Sequence, residues 1–254
     1  MMSRNIPLPA SLDISPAAAQ AASHTLTQRE RARRAASLSK TDSPFRTSIG
    51  HANPHANRYG DIIPYDRTLV HLSSEKYVNA NWISELALSN EVKARKYIAA
   101  QAPLQNTLEE WWSLFLLPNG PRICVMLTGL THPEGEIEIK HIEYLNWPDH
   151  GVPSTSLGLL DLVKLVEKLT AEEPERPLLV HCSAGVGRTG TFIAVSNILR
   201  YLPYLESTKE DVVMQVVENA REQRCLMVQT EAQLQFVRQC AKEAWLAWKG
   251  KQVD

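Results

Sequence analysis

Long apolar runs are missing from this 254-residue chain: no stretch approaches the roughly 20 residues of a membrane-spanning helix, and the N-terminus carries no secretory apolar core. Charge of either sign is also missing in net terms, at −1, which argues against a basic field that would hold nucleic acid or a membrane surface. Cysteine is sparse. Cys124, Cys182, Cys225 and Cys240 form no CxxC pair, so neither a disulfide framework nor a zinc site is expected, and free thiols suit a reducing cytosol. No internal repeat is visible. What is present, 44% hydrophobic and 22% charged residues, is the composition of a globular protein long enough for one sizeable core or at most two small domains.

The first fifty residues stand apart, rich in Ala, Ser and Arg and poor in aromatics. Within them "TQRERARRAASLSK" reads as a solvated helix leading to a flexible joint at "TDSPF". From about Arg58 the pattern becomes globular. "RTLVHL" and "RICVMLTGL" read as strands, the second buried. "TLEEWWSLFLL" reads as a helix with Thr107 as N-cap, stopped by Pro118-Asn119-Gly120. "IEIKHIEYLNW" opens with strand-like alternation, "SLGLLDLVKLVEKL" has helical spacing, and "PLLV" is a short buried strand. Three helical patterns close the chain. Strands early and helices late indicate an α/β or α+β layer fold.

The stretch "RPLLVHCSAGVGRTGTF" admits two readings. Gly185, Gly187 and Gly190 spell GxGxxG, the dinucleotide fingerprint, but no second strand ending in an acidic residue follows, and a Walker loop would need a lysine. The alternative is a cysteine six positions before an arginine. In Cys182-Ser183-Ala184-Gly185-Val186-Gly187-Arg188, small residues let successive N–H groups turn inward as an anion nest, and a helix beginning near Arg188 adds its positive end. Arg188 supplies a planar fork for phosphoryl oxygens, and such surroundings favour the thiolate that acts as nucleophile. Cleaving a phosphoester also requires an acid. "WPDHGVP" offers Asp149, held between Pro148 and the Gly151/Pro153 pair in what reads as a stiff, hinged loop.

These segments resemble the protein tyrosine phosphatases, and most nearly fungal members. "VHCSAGVGRTG" is similar to their signature loop, "WPDHGVP" to their mobile acid loop, and "NRYGDIIPYD" with "YVNANWI" to their recognition segment; "YIAAQAPL" and "MVQTEAQ" follow in the family's order. The resemblance implies an α/β fold, a twisted mixed sheet flanked by helices. It implies hydrolysis of phosphotyrosyl proteins through a phosphocysteine. Cys182 would be the nucleophile, Arg188 the phosphate clamp, and Asp149 the acid and then the base. Thr189 would assist breakdown of the intermediate, His181 would orient the loop, and Gln229 and Gln233 would place the water. Gln233 also completes a capping box with Thr230. Tyr59 would stack on the substrate ring, Asp61 would hold the peptide backbone, and Ser183, Ala184, Gly185, Val186 and Gly187 would line the phosphate nest.

Three departures accompany the resemblance. Ala102 replaces the usual glycine of "QGPL", and Cys225 sits where the family varies. The third is larger: the chain passes from Gly135 to "EIEIKHIEYLNWPDHGVP" almost at once, so several dozen residues and several sheet strands are missing, and Glu134 is the only nearby acid to brace Arg188. The expected organisation is an extension over 1–50, partly helical or disordered, and a catalytic domain over 51–254 with a deletion near 135–139. A monomer without cofactor or metal is expected, cytoplasmic with a nuclear location as the alternative, and with no nucleic-acid or membrane partner. The competing expectations are an impaired phosphotyrosine-binding protein and an unstable truncated variant.

Overall fold

The runs "KYIAA", "ICVM" and "LLVH" are almost wholly apolar, as strands covered on both faces are. They form the centre of a five-stranded sheet in a computed structural model that describes residues 6–39, 42–73, 76–127, 139–148 and 151–253. Strands β1 (Ala80–Ser84), β2 (Lys96–Ala100), β3 (Ile123–Met126), β4 (Lys140–Glu143) and β5 (Leu178–His181) are ordered β1-β2-β5-β3-β4. Only β1 and β2 pair antiparallel; the other neighbours are parallel. The helices are α1 (Pro16–Ser39), α2 (Ser48–His51), α3 (Leu108–Trp112), α4 (Leu157–Thr170), α5 (Gly187–Arg200), α6 (Val212–Gln223) and α7 (Glu231–Val253). One sheet face packs Val125 and Val180 against Phe192, Ile193 and Ile198 of α5, with α4, α6 and α7 completing that layer. The other packs Cys124 and Leu179 under Trp111, Leu114 and Phe115. This is the mixed α/β sheet flanked by helices that the resemblance implies.

Three local expectations are corrected. "RTLVHL" is not a strand: Asp66–Thr68 form a 3-10 turn and only Leu69 bridges Asn81. Side chains take the place of the ladder there, with Asn81 Nδ2 donating to Tyr65 O and Thr68 Oγ1, and Thr68 donating to Gln223 O. Thr107 stands at the N-cap of α3 without capping it; its hydroxyl accepts from Leu104 N at 2.9 Å, closing the preceding turn. The N-terminal helix is longer than "TQRERARRAASLSK" and is not merely solvated. Ser15 Oγ accepts from Ala18 N at its start and Pro16 is its first residue. Ala19, Ala22, Leu26, Glu30 and Arg33 make a buried stripe at helical spacing. The stripe escapes a hydrophobicity reading because its last two members are charged. Arg33 donates to Glu218 of α6 at 2.9 Å, and Glu30 accepts from Leu226 N at 3.1 Å.

The shortened link does not displace β4. Strands β3 and β4 are direct neighbours, in register from Ile123 opposite Lys140 to Met126 opposite Glu143. A four-residue strand is about 13 Å long and the lateral step about 4.8 Å. A connection of a dozen residues reaches about 40 Å, which leaves slack. As the sheet's edge, β4 is short and carries exposed Lys140 and Glu143, features that discourage edge-to-edge pairing. Apolar surface remains nearby: Leu145 is 72% exposed and Leu157 63%. Changing both to Gln is expected to alter stability by no more than about 0.5 kcal/mol each and to reduce self-association. Light scattering beside a thermal melt checks this; a large loss of stability would show that the two leucines are covered.

Candidate active site

The carboxyl ends of β2, β3 and β5 converge, the place where open α/β sheets bind ligands. The loop leaving β5 turns there at Gly185, whose φ of +72° is left-handed. A Cβ at Gly185 would collide with the Ala100 carbonyl, so glycine is required by the approach of β2. Gly190 is required too, since a Cβ would strike the backbone of Val228. Two glycines of the apparent dinucleotide fingerprint, Gly185 and Gly190, therefore serve close backbone packing around the cysteine loop, while Gly187 leaves room for the side chains of Gln229 and Gln233. Ala102 N donates to Ser183 O at 2.9 Å, tying the loop to the "QAPL" segment with alanine in the glycine's place.

Cys182 is 4% exposed and lines a cavity of about 640 Å³. Gly185 N donates to its Sγ at 3.3 Å, and α5 begins at Gly187, so the positive helix end faces the loop. Arg188 reaches across the opening: its Nη1 donates to Leu127 O at 3.1 Å and its Nη2 to Pro148 O at 2.8 Å. One guanidinium thus links the end of β3 with the start of the acid loop. Trp147 is buried against Phe236 and Tyr144, and its Nε1 donates to Gly151 O at 3.3 Å. Asp149 itself, and Glu134, lie outside the described residues.

Tyr59 and Asp61 stand at the rim. The Tyr59 hydroxyl and Ser183 Oγ are 2.7 Å apart, and Arg58 anchors the segment through Pro103 O at 2.7 Å. The Asp61 carboxylate is exposed, 3.9 Å from Arg34 of α1. Ala184, Gly187, Gln229 and Gln233 also line the cavity, whereas Gly185, Val186 and Thr189 pack behind it. Thr189 Oγ1 is buried and makes no hydrogen bond among the described residues. Gln233 Oε1 accepts from Gln229 N and Thr230 N while Gln233 N donates to Thr230 Oγ1, so the capping box forms beside the cavity. His181, also buried, meets the Trp111 ring edge to face at 5.1 Å.

Residues with no assigned role in the sequence reading hold this arrangement. Arg224 is fully buried and donates to Gly185 O at 2.9 Å, Ala184 O at 3.0 Å, and the Oδ1 atoms of Asn79 and Asn81 at 2.7 Å. Burial depresses its guanidinium below the ordinary value, and all four acceptors are neutral. Arg221 donates to Met227 O and Val228 O. Just beyond Arg224, Leu226 and Val228 adopt φ of 56° and 57°, a conformation costly for Val above all, of the kind that concentrates at functional sites. The "NAN" of "YVNANWI" and the "REQR" before Cys225 were the available signals.

The other thiols differ from Cys182 in setting. Burial pushes Cys225 up to about 11 and Cys240 to about 12, and Cys124 well above the ordinary thiol range. They are held neutral and away from the cavity. Iodoacetate near neutral pH is expected to label Cys182 first, with inorganic phosphate protecting it. Peptide mapping by mass spectrometry checks this, and equal labelling of Cys225 would contradict it.

The family model for protein-tyrosine phosphatase matches residues 53–135 and 130–243. The chain belongs to the protein-tyrosine phosphatase family. It is 32% identical over 252 residues to the receptor-type tyrosine-protein phosphatase eta of Gallus gallus, covering 80% of this chain and 17% of that protein. To the mouse non-receptor type 20 tyrosine-protein phosphatase it is 32% identical over 232 residues, covering 72% and 52%. The chain thus spans about a sixth to a half of the length of these relatives. The catalytic domain of human protein tyrosine phosphatase non-receptor type 18 superposes with a TM-score of 0.76 at 27% identity, over 92% of this chain and 99% of that one.

Proposed function

We propose that this protein hydrolyses phosphotyrosine in proteins through a phosphocysteine. The observation that carries the reading is the Cys182 thiol at the floor of a cavity on which the Gly185 N–H, the N-terminus of α5 and Arg188 converge. The Cys182 thiolate attacks phosphorus, the bond to the phenolic oxygen breaks, and Asp149 gives that oxygen its proton. Water placed by Gln229 and Gln233 then attacks phosphorus, the P–S bond breaks, and Asp149 takes the water's proton as phosphate leaves. Arg188 and the backbone of Ser183 to Gly187 hold the equatorial oxygens throughout. Thr189 supports the departing thiolate, and His181 orients the loop.

Tyr59 sets the depth of the pocket and Asp61 receives N–H groups of the substrate backbone. In this reading residues 1–50 are an extension to the catalytic domain, and its helix α1 docks there, supported by the contacts of Glu30 and Arg33. No helix among the described residues is long and apolar enough to cross a membrane. A monomeric, cytoplasmic role in signalling is the setting we propose.

The test is steady-state turnover of matched phosphotyrosyl and phosphoseryl peptides, with the first strongly preferred. Tyr59→Ala is expected to raise KM for the phosphotyrosyl peptide about twofold to twelvefold, matching the roughly 0.5–1.5 kcal/mol of an aromatic stack, and to narrow the preference. Equal turnover of both peptides by the parent would refute the specificity, and binding without turnover would favour a phosphotyrosine-binding protein.

A further inference from the structure

On the sheet face covered by α3, three side chains from three strands come together. Cys124 of β3 is directly opposite His141 of β4. His181 of β5 pairs with Met126, two residues beyond Cys124, and alternation along a strand puts it on the same face. The Cys124 sulfur and one nitrogen of each histidine all lie within 4.8 Å of one another. We propose that Cys124, His141 and His181 form a site for a single zinc ion, separate from the phosphate pocket.

Thiolate and imidazole are both donor types that zinc takes, and one of the first with two of the second leaves a fourth position open to water. Bonds of about 2.0–2.3 Å to a tetrahedral ion hold donors roughly 3.5 Å apart, so side-chain rotation closes the remaining distance. Trp111, Leu114, Phe115 and Leu179 surround Cys124 with apolar contacts, giving the dry shell that strengthens coordination. His141 is only half-buried on the edge strand, which gives an ion access from the sheet edge. On binding, the Cys124 thiol releases its proton to solvent as the sulfur–zinc bond forms; nothing is oxidised or reduced. The ion would clamp the edge strand β4 to β3 and β5 and fix His181, the residue preceding Cys182. Cys182 belongs to the cluster on the opposite face and is not a ligand. Because the ligands come from separate strands, no spacing in the sequence announces them, and the expectation of no metal site is revised by this proposal.

The test uses the full chain carrying Cys182→Ser, which removes the catalytic thiol as a competing ligand. Titration with cobalt(II) is expected to give a thiolate-to-cobalt charge-transfer band that saturates at a single ion per chain and is displaced by zinc. Adding Cys124→Ala should abolish the band. His141→Gln should weaken cobalt and zinc binding by more than about 100-fold, beyond the loss of an outer-shell partner. Zinc should also raise the melting temperature of the Cys182→Ser protein and leave the Cys124→Ala version unchanged. No saturable band in the Cys182→Ser protein would overturn the site. A band that survives Cys124→Ala would do the same. Should the alanine variant not fold, unchanged binding in His141→Gln, altered only on the exposed edge strand, would overturn it equally.

Discussion

Cys182→Ser is expected to lower turnover of an aryl phosphate by about 10⁴-fold or more, the scale of losing a catalytic nucleophile. A serine hydroxyl in the same place keeps its proton at neutral pH and attacks phosphorus poorly. The oxyanion pocket should survive, because the donors proposed for it, the backbone of Ser183 to Gly187 and Arg188, are not altered. Loss of the thiol should therefore separate kcat from binding: kcat collapses while the affinity for inorganic phosphate, read by calorimetry, stays close to the parent's. Turnover near the parent value would take Cys182 out of the mechanism. Loss of phosphate binding together with turnover would show that the thiol holds the loop in shape.

Arg224→Ala is expected to have the largest effect on stability of any single change outside the cavity. It strands the buried carbonyl of Gly185 and the buried amide oxygens of Asn79 and Asn81, and with them the half-buried carbonyl of Ala184. Leaving a buried acceptor unpaired costs about 1–3 kcal/mol, so several stranded together take a large part of the roughly 5–15 kcal/mol by which folded domains are stable. Arg224→Met should recover packing volume but not the four hydrogen bonds, and so should rescue only partly. Below the melting temperature both variants should lose kcat more than they raise KM, since Arg224 touches the loop that carries Cys182 and not the substrate. A chemical-denaturation series read by circular dichroism decides it. A cost under about 1 kcal/mol, the range of ordinary substitutions, would mean that β2 and α5 hold the loop unaided.

The chemistry was more legible in the sequence than the scaffold. Cys182 and Arg188 announce themselves because an anion nest needs small residues in consecutive order, a local requirement that spacing records. The later helices were readable for a similar reason: the apolar rows of α4 and α6 repeat at the helical period. Arg224 left only the faint trace of "NAN" and "REQR", since its partners come from β1, the segment before it and the cysteine loop, brought together only by folding. The buried face of α1 was masked by Glu30 and Arg33, whose burial is offset by Glu218 and the Leu226 N–H and leaves no hydrophobic trace. "RTLVHL" misled because its β-propensity is overridden by hydrogen bonds from Asn81 and to Gln223. The shortened link read as a threat to the sheet because sequence separation says nothing about which strands are neighbours. With β3 and β4 side by side, a short connection is enough.

The most direct test of the central claim is to catch the covalent intermediate. The full chain is mixed rapidly with a phosphotyrosyl peptide, quenched in acid within the first turnover, and mapped by mass spectrometry. Phosphate should be found on the peptide containing Cys182, at a level that rises in Gln229→Ala as the attack of water is slowed, and should be absent in Cys182→Ser. Phosphate on another residue, or rapid peptide hydrolysis with no phosphoenzyme in either protein, would contradict nucleophilic catalysis by Cys182.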